Sequence, residues 1–339
     1  MTAELDAIAQ KMVADGKGIL AADESSGTIK KRFDAIGVES TEENRRDYRE
    51  LLFRSEGMQK YISGVILYDE TIRQKAADGT PLVSLIEKAG AIPGIKVDAG
   101  AKPMPLCPGE TITEGLDGLA GRLKDYYDLG ARFAKWRAVI DIGAGIPSYP
   151  AVRANAHALA RYAALCQEAK IVPIVEPEVL MDGDHDIDTC YRVTEWVLKT
   201  TFEELYYQRI RHEGMVLKPN MVVPGKKSPK QASVEEVAEK TVRLLKTCVP
   251  SAVPGIAFLS GGQSDEEATA HLDAMVKLGG LPWKLTYSYG RALQAAPQKA
   301  WSGKTENVAK AQAAFTHRAQ MNSLAALGQW SADEERKAA

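Results

Sequence analysis

Phe133-Ala134-Lys135-Trp136-Arg137-Ala138-Val139-Ile140 is a β-rich run broken by two cations at alternate positions. A strand's period of two puts Lys135 and Arg137 on one face. Similar runs recur near Gly18–Glu24, Ile62–Asp69, Ala91–Asp98, Ile171–Glu178, Gly214–Met221, Ile256–Ser260 and Lys284–Tyr289, each followed by a longer segment of helical period. Strand and helix alternate eight times with no Pro/Gly/Ser linker between halves. That order predicts an α/β protein built as a single (β/α)8 TIM barrel, with a doubly wound open sheet as the competing fold. Ahead of the first strand, Leu5, Ile8, Met12 and Val13 have helical spacing and predict an extra N-terminal helix. A helical segment is expected at the C-terminal end. Residues 1–330 are expected to form the barrel domain, and 331–339, small and charged, a polar mobile tail.

The helical segments carry their own punctuation. Ser40 with Glu43, Ser233 with Glu236 and Ser264 with Glu267 have capping-box spacing. Gly130 and Gly279 stand where C-terminal caps belong. Leu116, Leu119 and Leu123 form one apolar stripe, and Val237, Val242, Leu244 and Leu245 populate the helix expected after the sixth strand.

Composition narrows the function classes. Of 339 residues 45% are hydrophobic and 26% charged, which suits a large core and excludes disordered and fibrous classes. With 43 Lys and Arg against 45 Asp and Glu, the formal charge of −2 comes without a basic block, so neither nucleic acid nor a membrane surface is an expected partner. Met1–Gly16 mixes charges among its apolar residues and lacks the centre of a secretory signal. Cys107, Cys166, Cys190 and Cys248 show no C-x-x-C spacing and fit free thiols in a reducing cytoplasm.

Five strand ends carry polar residues at i and i+2: Asp23 and Ser25, Lys96 and Asp98, Lys135 and Arg137, Glu176 and Glu178, Lys218 and Asn220. In a barrel one face of every strand points at the axis, and a desolvated charge cluster there is nothing stability alone would select. Each pair also falls at the carboxyl end of its strand, where barrel enzymes build their sites. Lys218 follows Met215-Val216-Leu217; burial on such a strand favours the neutral amine, the form that adds to ketones and aldehydes. Glu176 and Glu178 form a carboxylate pair able to divide acid and base roles. Ser260-Gly261-Gly262-Gln263 and Ser288-Tyr289-Gly290-Arg291 end the last two strands and lead into helices, the usual phosphate site of a barrel, with Arg291 adding a charged contact.

Other motifs fail. Gly143-Ala-Gly145 has Ser148 where a dinucleotide fingerprint needs its third Gly, and Gly303-Lys-Thr305 has Gln298 where a P-loop needs its first. Asp182-Gly-Asp-His-Asp186 is followed by Ile187 instead of the Gly of a calcium hand. The five histidines show no zinc spacing, so no metal site and no cofactor are expected.

The assembled residues resemble class I fructose-1,6-bisphosphate aldolase from about Leu5 to Trp330. Gly18-Ile-Leu-Ala-Ala-Asp-Glu-Ser25, Lys135-Trp-Arg137, Val175-Glu-Pro-Glu178, Leu217-Lys-Pro-Asn-Met221, Phe258-Leu-Ser-Gly-Gly-Gln263 and Ser288-Tyr-Gly-Arg291 look like that family's strand ends, in its order. The resemblance implies metal-independent, reversible cleavage of fructose 1,6-bisphosphate to dihydroxyacetone phosphate and glyceraldehyde 3-phosphate. It implies Lys218 as Schiff-base lysine, Glu176 as acid/base for imine formation and dehydration, and Asp23 as the base taking the C4 hydroxyl proton. Lys135 becomes a charge partner in cleavage and Glu178 a supporting carboxylate. Ser260, Gly261, Gly290 and Arg291 correspond to the ketone-side phosphate site; Ser25, Thr28, Lys96 and Arg137 lie at the aldehyde-side end. Thr28 stands where many relatives have Ser. Family members are commonly homotetramers, so a homo-oligomer is expected. Animal relatives end in a tyrosine that assists proton exchange on the enamine, whereas this chain ends Arg336-Lys-Ala-Ala339, so Glu176 or water is expected to take that step. The alternatives are a related lysine-dependent aldolase preferring another ketose phosphate, such as sedoheptulose 1,7-bisphosphate, or a non-catalytic scaffold keeping the fold.

Overall fold

Alternate residues of each central strand belong to two different apolar clusters. Ile19, Ala21, Ile66, Ile92, Phe133, Val172, Ile174, Val216 and Ala257 pack together in one. Their chain neighbours Leu20, Ala22, Val65, Leu67, Ile95, Ala134, Trp136, Val175, Leu217, Ile256 and Phe258 pack in another with the helices. A sheet whose two faces are both apolar must be covered on both, and closing it on itself does this while removing its edges.

The computed structural model describes residues 2–337. Its strands begin with β1 (Gly18–Ala22), β2 (Ile62–Leu67) and β3 (Ile92–Lys96), followed by a small antiparallel hairpin of β4 (Ala101–Pro103) and β5 (Thr111–Thr113). Then come β6 (Phe133–Ile140), β7 (Val172–Val179), β8 (Val216–Leu217), β9 (Gly255–Phe258) and β10 (Lys284–Tyr289). Apart from the hairpin, the strands close into a parallel barrel in the order β1-β10-β9-β8-β7-β6-β3-β2, with helices in the connections. This is the (β/α)8 barrel, and the eight expected runs supply its strands.

The barrel's lower half is packed solid. Leu5, Ala9 and Met12 of helix Thr2–Met12, with Val13 of the turn after it, join that cluster and plug the amino-terminal mouth. Phe133 fills the axis beside two glycines: a Cβ at Gly64 would stand 2.9 Å from its ring, and one at Gly94 would overlap it. Gly94→Ala is therefore expected to cost about 1–3 kcal/mol, the usual penalty for overpacking a filled core, read as a lower denaturant midpoint at unchanged slope.

Three expectations change in detail. The sixth strand, expected over Gly214–Met221, is only Val216–Leu217, because Pro219 has no N–H for the ladder. Lys218 N still donates to Val175 O at 2.8 Å, and Asn220 Oδ1 accepts from Val179 N at 3.0 Å, a side chain standing in for strand backbone. At the start of helix Glu42–Phe53 Thr41, not Ser40, is the cap, its hydroxyl accepting from Asn44 N at 3.1 Å; Ser233 and Ser264 cap as expected. The described part of the tail is a helix, Ala332–Lys337, held down by Glu335 and not a loose solvated end; residues 338–339 lie outside the described residues.

Candidate active site

Above the apolar layer, the same inward columns turn charged. On β1 the column reads Ile19, Ala21 and then Asp23; on β6, Phe133, Lys135, Arg137; on β7, Val172, Ile174, Glu176, Glu178; on β8, Val216 and then Lys218. Lys96 of β3 is directly beside Lys135 across the ladder, and Arg137 beside Glu176. Like charges so placed survive only because the opposite sign interleaves them.

Lys135 Nζ donates to Asp23 Oδ2 at 3.0 Å and lies 3.0 Å from Glu176 Oε2. Lys218 Nζ is 3.3 Å from Glu176 Oε1. Arg137 Nε pairs with Glu178, and Lys96 Nζ lies 3.5 Å from Asp98 Oδ1. Lys135, Lys218, Glu176 and Glu178 are all buried. The contact of Lys135 with Glu176 is electrostatic only: its hydrogen bond goes to Asp23, leaving Glu176 Oε2 buried with no hydrogen-bond donor. A carboxylate oxygen in that condition has room for a proton.

Burial and charge act in opposite directions here. Burial by itself lifts the Asp23 carboxyl, but Lys135, Lys218 and Lys96 outweigh it and hold Asp23 well below the usual carboxylate range. Burial likewise works against the charge of Glu176, and Lys135, Lys218 and Arg137 overcome it to keep its pKa low. Glu178 goes the other way: burial, with the charge of Glu176 added, prevails over Arg137 and raises it. Lys135 is raised, since Asp23 and Glu176 more than offset its own burial. The two carboxylates of β7 are thus shifted in opposite directions.

A cavity of about 210 Å³ opens beside this ring, lined by Asp23, Ser25, Thr28, Lys96, Lys135, Arg137 and Gly290. Ser25 and Thr28 stand hydroxyl to hydroxyl at 3.1 Å. Lys218 and Glu176 do not line it; they connect to it through Lys135, which lies 3.0 Å from Glu176. Gly261 adjoins Glu178, whose Oε1 would be 3.1 Å from a Cβ at that position. Ser260 is buried at the start of the same turn, which leads into helix Asp265–Leu278. Like Ser260 and Gly261, Arg291 stands outside the cavity lining: it donates to Asp265 Oδ1 at 2.8 Å and to the Gln263 carbonyl, beside the turn.

A family model described as fructose-bisphosphate aldolase class-I matches residues 4–339. The chain belongs to the class I fructose-bisphosphate aldolases. A probable class 1 fructose-bisphosphate aldolase of Xanthomonas campestris is 61% identical over 328 residues, 96% of this chain and 98% of its own length. Fructose-bisphosphate aldolase 1 of Toxoplasma gondii is 56% identical over 96% of this chain and 91% of its own. Among solved structures, the Plasmodium falciparum fructose-bisphosphate aldolase, crystallised with TRAP and a small-molecule inhibitor, superposes with a TM-score of 0.96. It is 51% identical and covers 97% of this chain and 95% of that one.

This aldolase cavity also contains residues that the sequence alone did not single out as site residues. Arg32 lines it and pairs with buried Glu24, which Gln294 Nε2 also holds at 2.7 Å. Arg49, buried, stands behind with its Nη2 on the Glu24 carbonyl at 3.1 Å. Ser25, Thr28 and Arg32 have helical spacing and share a face, a signal present in the sequence but ordinary for any surface helix. Ser288 Oγ is buried without a partner, directly beside Ile19 in the ladder.

Proposed function

We propose that Lys218 forms the Schiff base through which this class I aldolase cleaves fructose 1,6-bisphosphate to dihydroxyacetone phosphate and glyceraldehyde 3-phosphate. The observation that carries it is the contact of Lys218 with Glu176, 3.3 Å apart and both buried on the barrel axis. To attack the C2 ketone the lysine gives up a proton, and Glu176 is the carboxylate within reach. Held ionised by three cations, Glu176 takes that proton and returns it to the C2 hydroxyl of the carbinolamine, which leaves as water. The resulting imine is positively charged. Asp23 then removes the C4 hydroxyl proton, the C3–C4 bond breaks, and its electron pair passes to the imine nitrogen, giving a neutral enamine and the free aldehyde. Protonation of the enamine at C3 and addition of water release the ketone product. Lys135 holds Asp23 and Glu176 in these charge states, and Glu178, paired with Arg137, is the supporting carboxylate.

Cations at the two ends set the substrate's register, which is catalysis by orientation. Ser25, Thr28, Lys96 and Arg137 are assigned to the aldehyde-side phosphate, with Arg32 beside them. Ser260, Gly261, Gly290 and Arg291 are assigned to the ketone-side phosphate, where Arg291 adds a charged hydrogen bond. Two cationic ends favour a bisphosphate. The four cysteines are free thiols, consistent with the reducing cytoplasm expected for the protein, and a relative of Arabidopsis thaliana is named a cytosolic aldolase. A homotetramer is the assembly the family resemblance suggests, measurable by light scattering.

Reductive trapping tests the central assignment. Borohydride with dihydroxyacetone phosphate is expected to inactivate the enzyme irreversibly and to leave its label on the peptide containing Lys218. Label on Lys135 or Lys96, with Lys218 unmodified, overturns it.

A further inference from the structure

The carboxyl-terminal helix is wired to the turn assigned to the ketone-side phosphate. Glu335 is the wire's outer end. Its side chain is only 10% exposed, pairs with Arg318, accepts from Trp330 Nε1 at 2.9 Å and lies 3.2 Å from His317 Nε2. Arg318 is itself buried in helix Val308–Ala326. Its Nη2 donates to the Asp265 carbonyl at 3.2 Å and to Thr269 Oγ1 at 2.8 Å. Asp265 opens the helix after the phosphate turn, and its carboxylate holds Arg291 Nη1 at 2.8 Å while Arg291 Nη2 reaches the carbonyl of Gln263 in that turn.

A buried guanidinium demands a counter-charge. Glu335 supplies one to Arg318, so Asp265 can give its own charge to Arg291. Remove the Glu335 charge, and Asp265 becomes the carboxylate next in line for Arg318. Its environment shows that it lies within the field of all three: burial lifts its pKa, Arg291 and Arg318 draw it down, and Glu335 pushes it up.

We propose that Glu335 and Arg318 are positioning residues: the docked helix Ala332–Lys337 neutralises Arg318 and so keeps Asp265 committed to Arg291, fixing that guanidinium beside the ketone-side phosphate turn. This rests on Arg291 holding that phosphate. Neither Glu335 nor Arg318 lines the cavity.

The test compares wild type, Glu335→Gln, Glu335→Gln with Arg318→Met, and Arg291→Ala, on fructose 1,6-bisphosphate and on fructose 1-phosphate, both of which carry the ketone-side phosphate. Glu335→Gln keeps the side chain's volume and removes its charge. It is expected to raise KM about threefold to tenfold on both substrates with kcat within about twofold, the pattern of lost binding that is uniform between ground and transition states. Removing Arg318 as well takes away the competitor for Asp265 and is expected to bring KM back towards wild type. A purely structural staple gives a lower melting temperature with KM unchanged, or no recovery in the double variant; either result overturns the proposal. Should Glu335→Gln fold poorly, a chain ending at Ser331 removes the same carboxylate and is expected to move KM in the same direction; an unchanged KM there overturns it equally. If Arg291→Ala raises KM while Glu335→Gln does not, the wiring fails and the phosphate assignment stands. If Arg291→Ala leaves KM unmoved, the phosphate assignment fails and the proposal with it.

Discussion

Lys218→Met is expected to remove turnover, with kcat reduced at least about 10⁴-fold, a barrier raised by ~5.4 kcal/mol or more. The loss is large because the imine is the electron sink: without it, breaking the C3–C4 bond puts a full negative charge on C3, and neither Lys135 nor Lys96 stands where Lys218 does. Methionine matches the lysine stem in length and apolar character, so packing against β7 and β9 survives. Far-UV circular dichroism and an unfolding curve near that of wild type establish that the loss is chemical. Glu176 keeps Lys135 as its remaining close partner at 3.0 Å, so the site does not lose its charge balance altogether. Retention of more than about one per cent of kcat sinks the Schiff-base assignment, since no alternative nucleophile of the site delivers that rate.

Asp23→Asn is expected to separate the two halves of the reaction. The amide cannot take the C4 hydroxyl proton, and loss of a positioned general base costs on the order of 10²–10⁴-fold in cleavage. Imine formation depends on Lys218 and Glu176, so borohydride trapping of dihydroxyacetone phosphate should continue. If trapping and cleavage fall together, Asp23 acts on the lysine and not on the substrate. The wild-type pH profile carries the same signature. Asp23 is a base only when ionised, and its pKa is depressed despite burial because Lys135, Lys218 and Lys96 favour the carboxylate. Its contribution is therefore present at neutral pH and is lost only as the pH falls through that depressed value, below the range where ordinary carboxylates protonate. Replacing Asp23 should abolish this acid-limb behaviour in single-turnover cleavage; an unchanged limb assigns it to another group.

Much of the site is legible in a single strand. Lys135 and Arg137 stand two apart in β6, and the period of a strand sends both to the axis whatever surrounds them. Glu176 and Glu178 follow the same rule in β7. The rule breaks at Asn220, two residues beyond Lys218, because Pro219 ends the strand's hydrogen bonding and the Asn220 side chain turns to Val179 N and Thr194 instead of the cleft. Nothing in the local pattern distinguishes that asparagine from its neighbours; apart from the adjacent Met221 carbonyl, its partners are 41 and 26 residues away. Arg32 and Glu24 were hidden for a related reason. Each looks like a surface charge until the barrel brings Gln294 and Arg49 against Glu24.

By itself, then, the sequence determined the barrel, its apolar floor and the list of charges above it, because strand period and strand–helix alternation are local properties. Tertiary structure decided which charge faces which: that Lys135 hydrogen-bonds Asp23 and not Glu176, that Arg291 leans on Asp265 and not into the cavity, and that Glu335 docks the last helix on Arg318. Those choices belong to pairs far apart in the chain, and burial sets their strength, since a charge taken out of water must find its partner wherever the fold has put one.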